Sequence, residues 1–456
     1  MEDTIAAIAT PPGEGGIGII RISGEKAGEI LNQIFIPAAC RKMENRKMTY
    51  GNIVDPKNGK KVDEVLCVFM KGPKTYTVED VAEINCHGGM VPLRQTLQLV
   101  LQCGARMAEP GEFTKRAFLN GRLDLTQAEA VIDLIKAKTD KTFDVAMSQL
   151  DGHFSERIKS IRKELVDILV NIAVNIDYPD EDIEEITYDK LEMDLQRIRE
   201  SIEKMLSSAS TGRILQEGLA VAIIGKPNVG KSSLMNSLLG DARAIVTDIP
   251  GTTRDTIEEH LSIKGIPVRL TDTAGIRHTE DIIEKIGIER SKNSFNQSDL
   301  VIFILDSSRP LEDEDREIME LLNPDKTIAV LNKVDLDRVL TRKDIEVLLP
   351  SIRIIETSME TRDGIPLIEE EVVSMVYGGK VSQGESVMVT SARHQDLLEK
   401  ALQSAKDGIA MTECREALEF IEIDVNSCYE RLGEIIGETV QDDIINEVFS
   451  RFCLGK

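Results

Sequence analysis

Residues 219–233 read Leu219-Ala220-Val221-Ala222-Ile223-Ile224-Gly225-Lys226-Pro227-Asn228-Val229-Gly230-Lys231-Ser232-Ser233. The six leading apolar residues carry no charge and predict a buried strand. A complete G-x-x-x-x-G-K-S follows, set between that strand and a helical pattern, which is the context this motif requires. Glycines let successive backbone N–H groups curl around phosphate oxygens, and the start of the helix adds positive potential. Asn228, Val229, Gly230, Lys231, Ser232 and Ser233 are therefore candidate nucleotide contacts, with Lys231 reaching the β- and γ-phosphates and the Ser232 hydroxyl holding Mg²⁺.

Working outward, a second apolar run, Ile266 to Leu270, leads into Asp272-Thr273-Ala274-Gly275. Its carboxylate can hold the magnesium shell and the Gly275 N–H can sense the γ-phosphate, although a D-x-x-G alone is common and usually a turn. Between the two motifs lies Gly251-Thr252-Thr253-Arg254-Asp255, where Thr253 is the candidate second hydroxyl ligand of Mg²⁺; read in isolation, the same stretch is equally a polar surface loop. The strand Thr327 to Leu331 runs into Asn332-Lys333-Val334-Asp335. The Asp335 carboxylate can accept from two guanine donors, whereas adenine would leave it facing an acceptor, so GTP is favoured over ATP. Thr357-Ser358-Met359 follows another strand and supplies the loop beside the base. Ser391-Ala392-Arg393 is either a second copy of that loop or the start of a helix.

Where Ras-like enzymes carry a water-orienting glutamine after the D-x-x-G, this chain has Ile276, which cannot orient water. The acidic stretch beyond it offers Glu280, Asp281, Glu284 and Glu289, which are either candidates for that task or solvated helix charges.

With 456 residues, the chain is long enough for about three domains at roughly 150 residues each. Residues 1–120 mix short β-type runs (Ile17 to Ile22, Val62 to Met70, Val81 to Asn85) with Gly/Pro punctuation, and read as α/β. Residues 121–217 read as helical, with Ile158, Ile161, Leu165, Ile168 and Ile172 at spacings of three or four and a break near Tyr178-Pro179-Asp180. Residues 218–378 alternate apolar strands with helices, as in a parallel sheet covered on both faces. The polar linker Lys380 to Glu385 opens the last segment, 379–456, where the helical pattern returns at Leu397, Leu398, Ala401 and Leu402, at Leu418, Ile421 and Val425, and at Val440, Ile444, Ile445 and Val448. Two helical stretches flanking an α/β module pack most simply on each other, with the module inserted between them.

No apolar run approaches the length of a membrane span, and the acidic start Met1-Glu2-Asp3 is unlike a signal peptide. Seven cysteines without a C-x-x-C pair argue against a disulfide framework or a structural zinc site, which fits a reducing cytoplasm and no membrane. The net charge of −24 is not that of a protein holding RNA by phosphate neutralisation alone. An RNA substrate needs a local patch or a more basic partner.

The order G-K-P-N-V-G-K-S-S, G-T-T-R-D, D-T-A-G, N-K-V-D, with Phe452-Cys453-Leu454-Gly455-Lys456 at the C-terminus, resembles the bacterial tRNA-modification GTPase family MnmE, also called TrmE. The resemblance spans the whole chain, including Thr10-Pro11-Pro12-Gly13 to Gly24, Tyr76-Thr77 to Gly89 and Pro110-Gly111-Glu112-Phe113 to Leu125. It implies an N-terminal α/β domain that binds a formyl- or methylene-tetrahydrofolate and dimerises, a discontinuous helical domain, and an inserted Ras-like P-loop GTPase domain.

The resemblance further implies a flavin-carrying partner of the MnmG (GidA) type, using FAD. Together the two would build a carboxymethylaminomethyl or aminomethyl group on the wobble uridine of certain tRNAs. It implies GTPase domains that pair across K⁺. Carried over by motif, Asn228, Thr247, Ile249 and Thr252 would ligate K⁺, within a nucleotide-contacting loop Thr247, Asp248, Ile249, Pro250, Gly251, Thr252 and Thr253. The water-orienting residue falls on Glu284, ahead of Lys285-Ile286-Gly287, and the folate contacts on Arg21, Glu83, Arg122 and Lys456. Arg122 stands where the family also has lysine, and Met359 where it usually has alanine. Cys453 reads two ways, as a thiolate able to attack the uracil ring or as a small apolar residue in a docking C-terminal segment. The rival to an enzyme driving tRNA modification is a regulatory or ribosome-assembly switch with the same nucleotide motifs.

Overall fold

The computed structural model describes residues 3–39, 43–177, 187–241, 259–271, 298–378, 387–453 and 455–456. They divide into two compact units, one of 1–132, 149–194 and 404–456 and the other of 133–148 and 195–403. Each unit includes part of the helical stretches.

In the first unit, β1 (Ile5–Ile8), β2 (Gly15–Ser23), β3 (Phe35–Pro37), β4 (Thr49–Val54), β5 (Lys61–Met70), β6 (Val81–Gly88) and β7 (Arg106–Met107) form one sheet, ordered β3-β4-β5-β6-β2-β1-β7. All pairings are antiparallel except β1 with β7. Side chains alternate across a strand, so Ile20, Ile22, Ala82, Ile84, Cys67 and Val65 join one core with the helices Ala27–Ile34 and Met90–Gln102. Arg21 and Glu83, the intervening residues, take the other face and stand directly opposite each other in the β2–β6 register.

The stripe expected between 158 and 172 is the buried face of the helix His153–Asp177, which packs on Leu418–Ile436 of the returning segment through Ile421, Val425 and Cys428. Arg162 is the exception on that face. It is 6% exposed, pairs with Glu438 and lies over the Tyr429 ring at 4.1 Å, and Gly433 leaves the space it fills. Near the C-terminus Ile445 and Phe449 carry the buried face of the helix Asp442–Ser450, whereas Ile444, expected on it, is exposed. The stripe there is too short to fix the phase of the helix; packing against Phe118 and Phe452 does.

In the second unit β8 (Leu219–Ile224), β9 (Glu259–Ile263), β10 (Ile266–Thr271), β11 (Leu300–Asp306), β12 (Thr327–Asn332) and β13 (Arg353–Glu356) are ordered β13-β12-β11-β8-β10-β9. Every pairing is parallel except the edge hairpin β9–β10. All seven residues of β11 are buried, Ile302 and Ile304 in one core and Val301, Phe303 and Leu305 in the other. A strand covered on both faces needs an unbroken apolar run, which is what 300–305 supplies. Among the described residues no helix is long and apolar enough to cross a membrane.

Candidate functional site

In a sheet of this kind ligands gather beyond the carboxyl ends of the strands. There β8 opens into the phosphate loop, β11 ends at Asp306, β12 runs into Asn332-Lys333-Val334-Asp335, and β13 is followed by Thr357-Ser358-Met359. The loop turns at Asn228, which takes a left-handed backbone with φ 63°. Lys231 then starts the helix Lys231–Asp241, with Ser232 and Ser233 exposed in its first turn. The Lys231 ammonium bends back over the loop and donates to the carbonyls of Gly225 at 2.7 Å and Lys226 at 2.6 Å. Burial pulls its pKa down, so an anion beside it is favoured. An exposed hydroxyl next to a partly desolvated ammonium at a helix start suits a magnesium-bound triphosphate.

Asn332 is 1% exposed, and its side chain holds three segments together. Its Nδ2 donates to Val229 O at 2.8 Å, and its Oδ1 accepts from Met359 N at 3.2 Å and Thr357 Oγ1 at 3.3 Å. Gly230 makes this approach possible. With φ 113°, a Cβ there would lie 2.2 Å from Asn332 Nδ2. Met359 contributes through its main-chain N–H, so the departure from alanine leaves the bond intact. Ser358 is buried, its hydroxyl accepting from Thr361 N at 3.2 Å within its own turn. Asp335 stands exposed at the loop tip, free to accept from a base.

Asp306 is a site residue that sequence reasoning passed over. Paired in register with Asn332, it accepts from Lys333 Nζ at 2.7 Å, from Ser308 N at 3.0 Å and Oγ at 2.7 Å, and from Arg309 Nε at 3.1 Å. Burial pushes its carboxyl up, but Lys333 and Ser308 outweigh that and hold it at about 2. The available signal was an aspartate closing an otherwise apolar strand. Lys226 was likewise passed over; it pairs with Glu312 and lies 3.4 Å from Glu314 and 3.6 Å from Asp315, tying the loop to the helix Asp313–Glu320.

Thr247, Asp248, Ile249, Pro250, Gly251, Thr252, Thr253, Asp272, Thr273, Ala274, Gly275 and Glu284 lie outside the described residues. Ser391-Ala392-Arg393 resolves to a helix start, since Ala392 opens Ala392–Glu413.

In the first unit the four folate candidates gather around Tyr76 and Phe113. Arg21 Nε donates to Glu83 Oε1 at 2.9 Å, Arg21 Nη1 to Gly455 O at 3.3 Å, and its guanidinium lies 5.8 Å from the Phe113 ring. Lys456 is close by, its pKa lowered by burial and by Arg21 while Glu83 and Cys453 oppose the shift. The C-terminal tail docks because Gly455, at φ 90°, packs where a Cβ would sit 2.4 Å from Ile8 O. Arg122 lies over the Tyr76 ring at 4.7 Å and donates to Tyr76 O at 3.2 Å. Cys453 is exposed, and its carbonyl accepts from Gly111 N at 3.4 Å. Three basic groups, one carboxylate and two aromatic rings fit a ligand that is both planar and anionic.

A parallel sheet with a lysine-capped phosphate loop bolted to a guanine-reading loop defines a P-loop GTP-binding protein. Residues 4–122 match the family model described as GTP-binding protein TrmE N-terminus, and residues 125–453 match that of the MnmE helical domain. The chain is similar to the tRNA modification GTPase MnmE of Alkaliphilus oremlandii (strain OhILAs), at 52% identity over 100% of both chains. It is similar, again over 100% of each chain, to those of Alkaliphilus metalliredigens (strain QYMF) at 51% and Clostridioides difficile (strain 630) at 50%. The chain belongs to the MnmE family of tRNA modification GTPases. Among solved structures, the G domain of the T. maritima FeoB iron transporter is similar over 34% of this chain and 98% of its own, at 28% identity and a TM-score of 0.25.

Proposed function

We propose that this chain hydrolyses GTP to GDP and phosphate in the service of tRNA modification, and that its turnover depends on potassium. The observation that carries the reading is the Asn332 to Val229 bond of 2.8 Å, which puts the phosphate loop and the base-reading Asp335 on one frame. Relatives at 50–52% identity over the full chain bear the name tRNA modification GTPase, which supports the second half of the reading.

Lys231 and the first turn of its helix bind the phosphates, and Ser232 with Thr253 would hold Mg²⁺, which when bound neutralises charge on the β- and γ-oxygens. Asn228, Thr247, Ile249 and Thr252 would hold K⁺, which supplies the positive charge that an arginine finger gives elsewhere. Glu284 orients the attacking water in place of Ile276. Arg21, Glu83, Arg122 and Lys456 bind a formyl- or methylene-tetrahydrofolate, and the ion pair of Arg21 with Glu83 supports this by offering a donor and an acceptor side by side. The protein works in the cytoplasm as a homodimer joined through its N-terminal domain, with an MnmG-type flavoprotein that carries FAD and most of the tRNA contact. The product is a carboxymethylaminomethyl or aminomethyl group on the wobble uridine.

The test pairs two measurements. Purified full chain should hydrolyse GTP and not ATP, faster in K⁺ than in Na⁺; tRNA from cells lacking the chain should lack the wobble substituent. Unmodified hydrolysis with an intact wobble nucleoside would leave a GTPase with another task.

A further inference from the structure

Beside Tyr76 lies a cleft of ≈ 620 Å³ bordered by Arg46, Lys74 and Arg122 with Thr75 and Asn120, and no carboxylate lines it. All three cations are exposed, and among the described residues none of them forms an ion pair. The arrangement is ordered: the Arg46 guanidinium donates to Lys74 O, and Arg122 is held on Tyr76 by its ring and its carbonyl. In a chain of net charge −24, a hollow bordered by three unpaired cations and no carboxylate offers a local positive potential that favours an anion.

The cleft adjoins the folate candidates through Tyr76. Its ring carries Arg122, and its hydroxyl, bonded to Thr114 Oγ1 at 2.9 Å, feels the charges of both Arg122 and Arg21. A folate whose ring system sat by Arg21 and Glu83 and whose tail ran past Tyr76 would bring its glutamyl carboxylates to this cleft. We propose that this cleft binds the γ-linked oligoglutamyl tail of a reduced folate, with Arg46, Lys74 and Arg122 taking successive carboxylates. The proposal rests on the folate reading above and extends it from the ring system to the tail. A short, concave hollow suits such a tail better than an RNA backbone, which needs an extended basic surface to gain from counterion release.

Each exposed cation–carboxylate contact contributes a factor of a few at most, so three together give about tenfold at low salt, with the gain fading as ionic strength rises. The experiment is calorimetry on the full chain with 5-formyl-tetrahydrofolate as the monoglutamate and as the pentaglutamate. The wild type should bind the pentaglutamate about tenfold more tightly, and in the Arg46→Gln/Lys74→Gln double variant that ratio should fall toward one. Using the ratio removes any general effect of the substitutions on the fold. Equal affinity of the wild type for both forms would overturn the tail site and leave the folate reading standing. Binding of neither form would overturn the folate reading itself. A tail advantage that survived in the double variant, or a tRNA affinity lost in that variant while the tail advantage stayed, would move the cleft away from folate.

Discussion

Asp306 shows how a residue can be both buried and ionised. Its side chain is 4% exposed, yet Lys333, Ser308 and Arg309 surround the carboxylate with donors and keep it charged. Because its pKa of about 2 lies below the ordinary 3.8, the carboxylate stabilises the folded state at neutral pH. That contribution is complete above about pH 4 and is lost as pH falls through about 2. Asp306→Asn should therefore lower the stability of the nucleotide-binding unit by about 2 kcal/mol at pH 7. Urea unfolding of wild type and variant at pH 7, 4 and 2.5 should show the gap closing toward the acid end; a constant gap would mean that the charge is not what matters. Asp335 stands at the opposite extreme, exposed and waiting for a partner. Asp335→Asn replaces one of the two carboxylate acceptors by an N–H donor and leaves one of the two guanine N–H groups facing a donor. It should weaken GDP binding by at least about a hundredfold while improving binding of xanthosine diphosphate, measured by competition titration.

At the scale of elements, Gly230 in the phosphate loop and Gly240 in the helix Lys231–Asp241 have opposite tolerances. Gly230 lies where a Cβ would meet Asn332 Nδ2 at 2.2 Å, while at Gly240 the nearest atom is Arg362 Nη2 at 3.8 Å. Gly230→Ala must push the loop off Asn332 and break the bond to Val229, so nucleotide affinity should drop by about a hundredfold or more. Gly240→Ala makes only an ordinary contact in a helix and should raise stability by about 0.5–1 kcal/mol with affinity unchanged. Thermal unfolding and GDP titration on both variants separate the two effects. If Gly230→Ala bound GDP normally, the clamp between the loops would be dispensable. Sheet order explains why that clamp exists at all: β8 and β12 flank β11, so their carboxyl ends come within one residue's reach.

For the whole molecule, the proposed pairing of GTPase domains across K⁺ makes turnover a property of two chains. Hydrolysis per chain should be faster in K⁺ than in Na⁺ and should rise with protein concentration until pairing saturates. On the same reading Glu284→Ala should lower kcat by roughly a hundredfold, about 2.7 kcal/mol in the barrier, with little change in GTP affinity. Glu280→Ala should have a small effect. Single-turnover assays in K⁺ beside nucleotide titrations decide it: near-normal turnover of the Glu284 variant would transfer the role to another acidic residue of the stretch.

The sequence by itself determined those features whose physics is local along the chain. A phosphate loop needs consecutive backbone N–H groups after a strand, so Gly225 to Ser233 announced itself, and β8 falls on Leu219–Ile224 as its apolar run predicts. Helix faces such as Ile158 to Ile172 and strands such as β2, β5 and β6 were legible for the same reason, since burial imprints a period on neighbouring residues. Only the tertiary structure decided the partners. Asn332 meets Val229 across 103 residues, Lys333 meets Asp306 across 27, and Arg21 meets Gly455 across 434. It also put Arg46, Lys74 and Arg122 around one cleft. Such contacts leave no period and no motif, because they depend on strand order and register and on how distant segments close upon each other, and a hydrogen bond constrains the two atoms that meet rather than the residues between them.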